Sequence, residues 1–120
     1  MTPPFDDWAG YAAAKPGAAT GRPWQDATLG FKVGGKLFAA IDEDITPPRL
    51  NLKSAADRAA ELVAAYPAVS PHRIHPRGWV SVSLDGSLTP ALIAELIDAS
   101  YDLVVRGLTK RDRAGLGLGD

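Results

Sequence analysis

The sequence contains no cysteine and no long hydrophobic run, and each absence excludes a class of protein. Without cysteine, the chain forms neither a disulfide framework nor a thiolate metal site. No apolar stretch approaches the ~20 residues that a transmembrane helix needs. Residues 1–7 are acidic and proline-rich, whereas a signal peptide begins with basic residues and continues as an apolar stretch. We therefore expect a cytoplasmic protein with no membrane contact.

The chain also has little excess charge of either sign. Its 120 residues hold 13 Lys and Arg against 14 Asp and Glu, a formal net charge of −1. Proteins that bind nucleic acid through bulk electrostatics are usually clearly basic, so a phosphate-binding surface here requires segregation of charge. The length suits one domain with a single core, and residues 1–120 show neither an internal repeat nor a linker.

Hydrophobic periodicity predicts three helices and five strands. The helical spacing of apolar residues predicts helices over 5–14, from Ser54 as N-cap to Tyr66, and from Thr89 as N-cap to Leu108. Alternating patterns predict strands over 28–33, 36–41, 49–53, 70–74 and 79–84. Residues 17–22 are predicted to be a loop, and residues 110–120 a frayed tail.

The resulting order, α-β-β-β-α-β-β-α, predicts an α+β fold. Clustered hairpins imply an antiparallel sheet in a two-layer sandwich, with helices on one face and a wetter opposite face. In the second strand, simple alternation places Leu37, Ala39 and Ile41 on one face. It places Lys36, Phe38 and Ala40 on the other.

One segment imitates a nucleotide-binding loop. Residues 30–36 match the spacing G-x-x-x-x-G-K, but Leu37 stands where a Ser or Thr would hold Mg²⁺. Strand alternation also continues where the motif requires the N-terminus of a helix. The segment is therefore interpreted as a β-hairpin.

Two other groups of polar residues suggest metal or acid–base chemistry. His72 and His75 are separated by two residues in a proline-rich segment, which does not place both rings on one side of a strand. The acidic run 42–44 follows a hairpin and is interpreted as solvated surface. The sequence has no G-x-S-x-G elbow, cysteine nucleophile or H-E-x-x-H motif. We predict no enzymatic activity, metal site or cofactor.

The remaining chemistry is that of a binding surface. Basic side chains next to an aromatic ring are what phosphate contacts and base stacking require. The residues predicted to bind nucleic acid are Lys32, Lys36, Arg49, Lys53, Arg73 and Arg77, together with Trp79. Asn51 accompanies the outward side chains of the third predicted strand, and His72 and His75 accompany the last two arginines.

A series of short segments, in order and spacing, resembles the MmcQ/YjbR family over residues 16–108. They are PW at 23–24, FKVGGKLFA at 31–39, LNLK at 50–53, YPAVSP at 66–71, WVSV at 79–82, LDG at 84–86 and SYDLV at 100–104. The resemblance implies a secretion-chaperone-like α+β fold and a small bacterial "double-wing" DNA-binding protein without known enzymatic activity. The chain departs from the family pattern at residues 77–79, where relatives tend to carry Lys and His before the Trp.

Three functional hypotheses follow. The leading one is a non-enzymatic protein that binds DNA through the basic sheet and hairpin surface. The alternative is a protein–protein interaction module or homodimeric adaptor that uses the sheet face bearing Phe38 and Trp79. A small-molecule sensor with a cleft between the sheet and the helices is the third.

Overall fold

The computed structural model describes residues 7–22 and 27–118. The helices are α1 (Trp8–Ala13), α2 (Ala56–Ala65), α3 (Pro90–Arg106) and α4 (Lys110–Gly115). The strands are β1 (Ala18–Gly21), β2 (Thr28–Val33), β3 (Lys36–Asp42), β4 (Arg49–Lys53), β5 (Val69–Pro71) and β6 (Trp79–Ser83). The predicted helix start at Phe5 and the Pro23–Trp24 pair lie outside the described residues.

The strands form one antiparallel sheet in the order β1-β2-β3-β4-β6-β5. Helix α3 packs against β2, β3 and β4, while α2 packs against β5 and β6. The apolar side chains between these layers form one core, which confirms the predicted α+β sandwich. In the described part of the chain, no helix is long and apolar enough to cross a membrane.

A β-bulge in β3 reverses the predicted orientation of Phe38. Phe31 pairs with Ala39 but Lys32 pairs with Leu37, so Phe38 is an extra residue in the ladder. Phe38 and Ala39 are both fully buried on the helical side. The Phe38 ring meets the Tyr101 ring of α3 edge-on, with 5.3 Å between centroids. The prediction that Phe38 and Ala39 occupy opposite faces is therefore wrong, because the inserted residue shifts the alternation by one.

Ser100 of α3 attaches the long helix to the middle of the sheet. Its fully buried hydroxyl donates to the backbone oxygen of Phe38 at 2.5 Å. The same oxygen atom of Ser100 accepts from the backbone N–H of Lys53 at 2.9 Å. The bulge at Phe38 and the end of β4 are thus fixed to one helical residue, and the hydrogen bond to Phe38 is buried.

Three secondary-structure elements differ from the sequence prediction. Residues 18–21 form the edge strand β1 rather than a loop, because pairing with β2 orders a segment whose small side chains show no alternation. Part of the predicted frayed tail forms α4, whose first turn is capped by Thr109 through the N–H of Asp112. Strand β5 ends at Pro71 rather than at residue 74.

The two predicted helix caps have different outcomes. The Thr89 hydroxyl accepts from the N–H of Leu92 at 3.2 Å, which confirms Thr89 as the N-cap of α3. At α2, the N-cap is Ala55 and no side chain caps the helix. The Ser54 hydroxyl instead donates to the backbone oxygen of Ala55, so the predicted capping box is wrong.

Candidate functional site

Small residues cross the sheet on the side opposite α3, and we call this side the open face. The strand register aligns Gly21, Gly30, Ala40, Asn51, Ser81 and Ser70 in one row perpendicular to the strands. The neighbouring row holds Thr28, Asp42, Arg49 and Ser83. The row on the other side includes Lys32, Leu37, Lys53 and Trp79. Short side chains between longer ones make a trough, since strand side chains stand roughly perpendicular to the sheet.

The β5–β6 loop (residues 72–78) encloses one part of this trough. The resulting cavity has a volume of about 550 Å³. Its lining residues come from β2, β3, β4, β6 and the loop, and are Thr28, Leu37, Ala40, Asp42, Arg49, Asn51, His72, Arg73, Ile74, His75, Trp79 and Ser81. The predicted cleft between sheet and helices does not describe this cavity, because it lies on the other side of the sheet.

The floor of the cavity is a chain of hydrogen bonds across four strands. The Ser81 hydroxyl donates to Asn51 Oδ1 at 2.7 Å, and Asn51 Nδ2 donates to Asp42 Oδ2 at 3.1 Å. The Thr28 hydroxyl donates to Asp42 Oδ1 at 2.9 Å. Asn51 and Ser81 are buried, so their mutual satisfaction removes the cost of burying them in a sheet.

Cations lie above this polar floor. The Arg49 Nε atom is 3.6 Å from Asp42 Oδ2, and the Arg49 side chain remains 42% exposed. Arg73 is exposed on the loop. The cavity therefore has a carboxylate at its floor and two guanidinium groups nearer solvent, which is a gradient of charge from inside to outside.

The loop is held by the ring of His72. Its Nδ1 atom accepts from the backbone N–H groups of Ile74 and His75, at 3.2 and 3.1 Å. Nδ1 is therefore unprotonated, and the neutral ring carries its proton on Nε2. Burial, followed by the charge of His75, lowers the pKa of His72. The His72 ring also stacks on His75 and meets Trp79 edge-on, with centroids 5.8 and 6.4 Å apart.

A second, shallower hollow continues the trough over β1 and β2. It has a volume of about 190 Å³ and is lined by Ala19, Thr20, Gly21, Arg22, Gly30 and Lys32. Gly30 borders this hollow and pairs in register with Ala40, which lines the larger cavity. Arg22 forms an ion pair with Glu43 at 2.7 Å. The two hollows are consecutive along the row of small residues.

The structure brings together only part of the predicted binding set. Arg49, Arg73 and Trp79 line the large cavity, and Lys32 lines the second hollow. Lys53 is exposed and pairs with Trp79. Arg77 is exposed in the β5–β6 loop without lining either hollow.

Lys36 differs most from the prediction, because it pairs with Val33, a core residue at the end of the β2–β3 hairpin. The residues Gly34 and Gly35 between them turn the chain with φ values of 60° and 79°, as the hairpin interpretation requires. Residues 30–36 therefore form a β-hairpin and offer no helix N-terminus to a phosphate.

Sequence reasoning missed the role of Thr28, Asp42 and Ser81 in the floor. Strand alternation contained a signal for two of them, because Asp42 pairs with Arg49 and Ser81 pairs with Asn51, so each lies on the same face as its partner.

Among residues 7–22 and 27–118, no group of three His, Cys, Asp or Glu side chains is placed to hold a metal ion. Gly78, in the loop before Trp79, has a φ of 87°, a conformation that disfavours any residue with a side chain.

Comparisons with known proteins agree with this fold. The family model described as YjbR matches residues 13–103. The chain is 35% identical to the uncharacterized protein YjbR of Escherichia coli strain K12 over 106 residues, which cover 86% of this chain and 88% of that protein. It is 37% identical to the uncharacterized protein YbdF of Escherichia coli O157:H7 over 84 residues, covering 69% of each.

Two solved structures share the architecture. A Deinococcus radiodurans protein with a DUF419 domain superposes with a TM-score of 0.90 at 35% identity, covering 100% of this chain and 94% of its own. A Pseudomonas syringae protein superposes with a TM-score of 0.67 at 21% identity, covering 81% of this chain and 95% of its own. The second likeness is one of fold alone.

Proposed function

This chain belongs to the YjbR family, and we propose that it is a non-enzymatic protein that binds DNA through the open face of its sheet. The observation that carries the proposal is the difference in charge between the sheet and the two helices that pack against it, α2 and α3. Strands β1–β6 and the β5–β6 loop hold six Lys and Arg side chains and one carboxylate, Asp42. Of the six, only Lys36 pairs with a core residue, Val33, and lies off the open face. Helices α2 and α3 hold five carboxylates and two arginines.

The one carboxylate on the sheet does not cancel the surrounding cations. Asp42 accepts hydrogen bonds from Thr28 and Asn51 and lies beside Arg49, so its charge is already partly balanced within the floor. Lys32, Lys53 and Arg73 are exposed around the trough. A nearly neutral protein thereby presents a basic strip to a polyanion, which is the segregation that its net charge of −1 requires.

The shape of the open face supports the same proposal. The two hollows lie one after the other along the row of small residues, and the side chains that line them include Lys32, Arg49, Arg73 and Trp79. Phosphate contacts supply affinity without sequence information, and an aromatic ring adds a surface on which a base can stack. The double-wing DNA-binding description implied by the family resemblance points to the same kind of ligand.

The proposal is tested by fluorescence anisotropy with labelled random-sequence DNA at ~50 and ~200 mM salt. A protein that makes several phosphate contacts loses orders of magnitude in affinity between these conditions. The double substitution Arg49→Ala and Arg73→Ala should weaken binding for all sequences and flatten the salt dependence. The matched control, Arg58→Ala and Arg106→Ala, removes the same charge from α2 and α3 and should bind like the wild type.

Two results would contradict the proposal. Absence of binding to any DNA at the lower salt concentration would remove nucleic acid as the ligand. Equal loss of affinity in the open-face variant and the helical control would show that net charge alone, rather than this surface, determines binding.

The alternative hypothesis, a protein–protein interaction module that uses one sheet face bearing Phe38 and Trp79, does not fit the positions of these two residues. Phe38 is fully buried against α3, whereas Trp79 lines the cavity on the open face, so the two residues do not share a surface. A homodimer that uses the open face stays a prediction. Sedimentation at micromolar concentration tests it, and a monomer would contradict it.

A further inference from the structure

We propose that the cavity under the β5–β6 loop receives one unpaired nucleobase, so that the open face prefers single-stranded to duplex DNA. The inference deepens the proposed function and rests on it. Its starting point is the volume of about 550 Å³, which is in the range of small-molecule sites rather than of a flat backbone-binding surface.

The position of the cavity requires the base to leave a duplex. Its floor is formed by side chains of the sheet itself, Asn51 and Ser81, which are buried beneath the level of the exposed cations. Bases in a duplex are stacked and paired, so reaching such a floor requires an extruded or single-stranded nucleotide. A duplex can contact Arg49 and Arg73 through phosphates, but it leaves the cavity unfilled.

One wall of the cavity supplies aromatic surface. The half-buried Trp79 lines it, and the His72 ring meets the Trp79 ring at 63°. His72 in turn stacks on His75 with an interplanar angle of 21°. Three aromatic rings around one cavity are a stacking platform, because every base presents a π-face irrespective of its identity.

The gradient of charge fixes the orientation of the nucleotide. The Asp42 carboxylate at the floor accepts one hydrogen bond from Thr28 and one from Asn51, which leaves further lone pairs. A phosphodiester has no donor to offer these lone pairs, whereas the imino and amino N–H groups of bases are donors to them. Arg49 and Arg73, nearer solvent, attract the phosphate. The base therefore enters first, and the backbone stays at the rim.

The test separates the base from the phosphates. Anisotropy is measured with three labelled ligands at one salt concentration: a short oligothymidylate, an abasic oligomer with the same number of phosphates, and a duplex of the same length. We expect the oligothymidylate to bind about tenfold or more tightly than the abasic oligomer and the duplex, since base–aromatic stacking is of that size. The salt slopes for oligothymidylate and abasic oligomer should be equal, because their phosphate contacts are the same.

Variants of Trp79 assign the effect to this cavity. Trp79→Ala should reduce the affinity for oligothymidylate to that of the abasic oligomer, with no change for the abasic oligomer itself. Trp79→Phe keeps a ring on the same wall and should retain most of the preference. Far-UV circular dichroism checks that both variants are folded. If the alanine variant does not fold, the affinities of the phenylalanine variant for the three ligands still test the inference.

Each remaining outcome overturns a defined claim. Equal affinity for the oligothymidylate and the abasic oligomer would overturn the base-binding inference and leave DNA binding in place. Duplex bound as tightly as the single strand would do the same. Binding to none of the three ligands would overturn the proposed function and the inference together.

Discussion

The two faces of the sheet are made by alternate residues of the same strands, yet they have opposite properties. In β4, Leu50 and Leu52 belong to the dry core beneath α3, while Asn51 between them belongs to the polar floor of the open face. The helical face is filled with large apolar side chains, whereas the open face has a row of small and polar ones, with Leu37 and Trp79 in the row beside it. The comparison shows that the strands that build the core also shape the candidate binding surface.

The largest difference between the faces should appear in stability at two adjacent residues. Phe38→Ala removes a ring that is fully buried between β3 and α3, so the free energy of unfolding should fall by about 3–5 kcal/mol. Leu37→Ala, on the half-buried wall of the cavity, should cost about 1 kcal/mol. Urea denaturation measures both. A larger effect at Leu37 would mean that β3 alternates without the bulge and that the two faces are exchanged.

The next effect concerns polar groups on the helical face. Ser100→Ala leaves the N–H of Lys53 and the carbonyl of Phe38 without their buried partner, which should cost about 1–3 kcal/mol of unfolding free energy. Ser70→Ala, at an exposed position of β5 on the open face, is the matched control and should change stability by less than about 0.5 kcal/mol. Equal losses of unfolding free energy for the two serine substitutions would contradict the role of Ser100 as the buried hydrogen-bonding partner of Phe38 and Lys53.

Substitution in the polar floor of the open face should lower the unfolding free energy less than substitution of Ser100 does. Asn51→Ala removes the acceptor of Ser81 and a donor to Asp42, but the adjoining cavity admits water to the freed groups. We expect a loss of about 1 kcal/mol in unfolding free energy, at the low end for an unsatisfied buried group. Thermal or chemical denaturation provides the value. A loss of 3 kcal/mol or more would indicate that the floor is as dry as the core.

The smallest expected effect is the pH response of the β5–β6 loop. Burial and the charge of His75 lower the pKa of His72, with Arg49 and Arg73 acting in the same direction and Asp42 in the opposite one. The folded protein thus binds this proton less readily than the unfolded chain. The stabilising contribution of neutral His72 is complete above about pH 6.5 and is lost as the pH falls through the lower folded-state pKa.

NMR titration checks this response at single residues. Protonation of His72 Nδ1 removes the acceptor of the Ile74 and His75 N–H groups, so both amide signals should shift with the His72 ring at a midpoint below 6.5. His72→Ala is the control and should abolish the shared transition. A His72 midpoint at or above 6.5, or amide signals that do not follow it, would contradict the hydrogen-bonding of this loop.

Local sequence patterns predicted most of the fold and little of the site. Some features depend only on a few neighbouring residues and were recognisable in the sequence. They include the alternating strands over 28–33 and 79–83 and the helix start at Thr89–Pro90. The edge strand β1 and the bulge at Phe38 depend on pairing with β2, which periodicity in one segment does not contain. The floor joins Thr28, Asp42, Asn51 and Ser81 from four strands, so it exists only once the register is known.

The basic residues illustrate the same limit. Arg49, Arg73 and Trp79 were predicted together and line one cavity, because the neighbouring strands β4 and β6 and the β5–β6 loop bring them there. Lys36 was predicted to belong to the same surface as a basic residue of the hairpin, yet it lies at the hairpin end and pairs with a core residue. Charge is visible in a sequence, whereas the face on which Lys36 lies depends on the bulge at Phe38, which follows it in β3.

The open face is tested most directly as a binding surface by mapping the backbone amide shifts when a short oligonucleotide is added to the isotopically labelled protein. We expect the changes to concentrate at Asn51, Ile74, His75, Trp79 and Ser81 on the open face, while the amide signals of α2 and α3 stay constant. Changes confined to α2 and α3, with the cavity residues unaffected, would contradict the claim that the open face of the sheet is the binding surface.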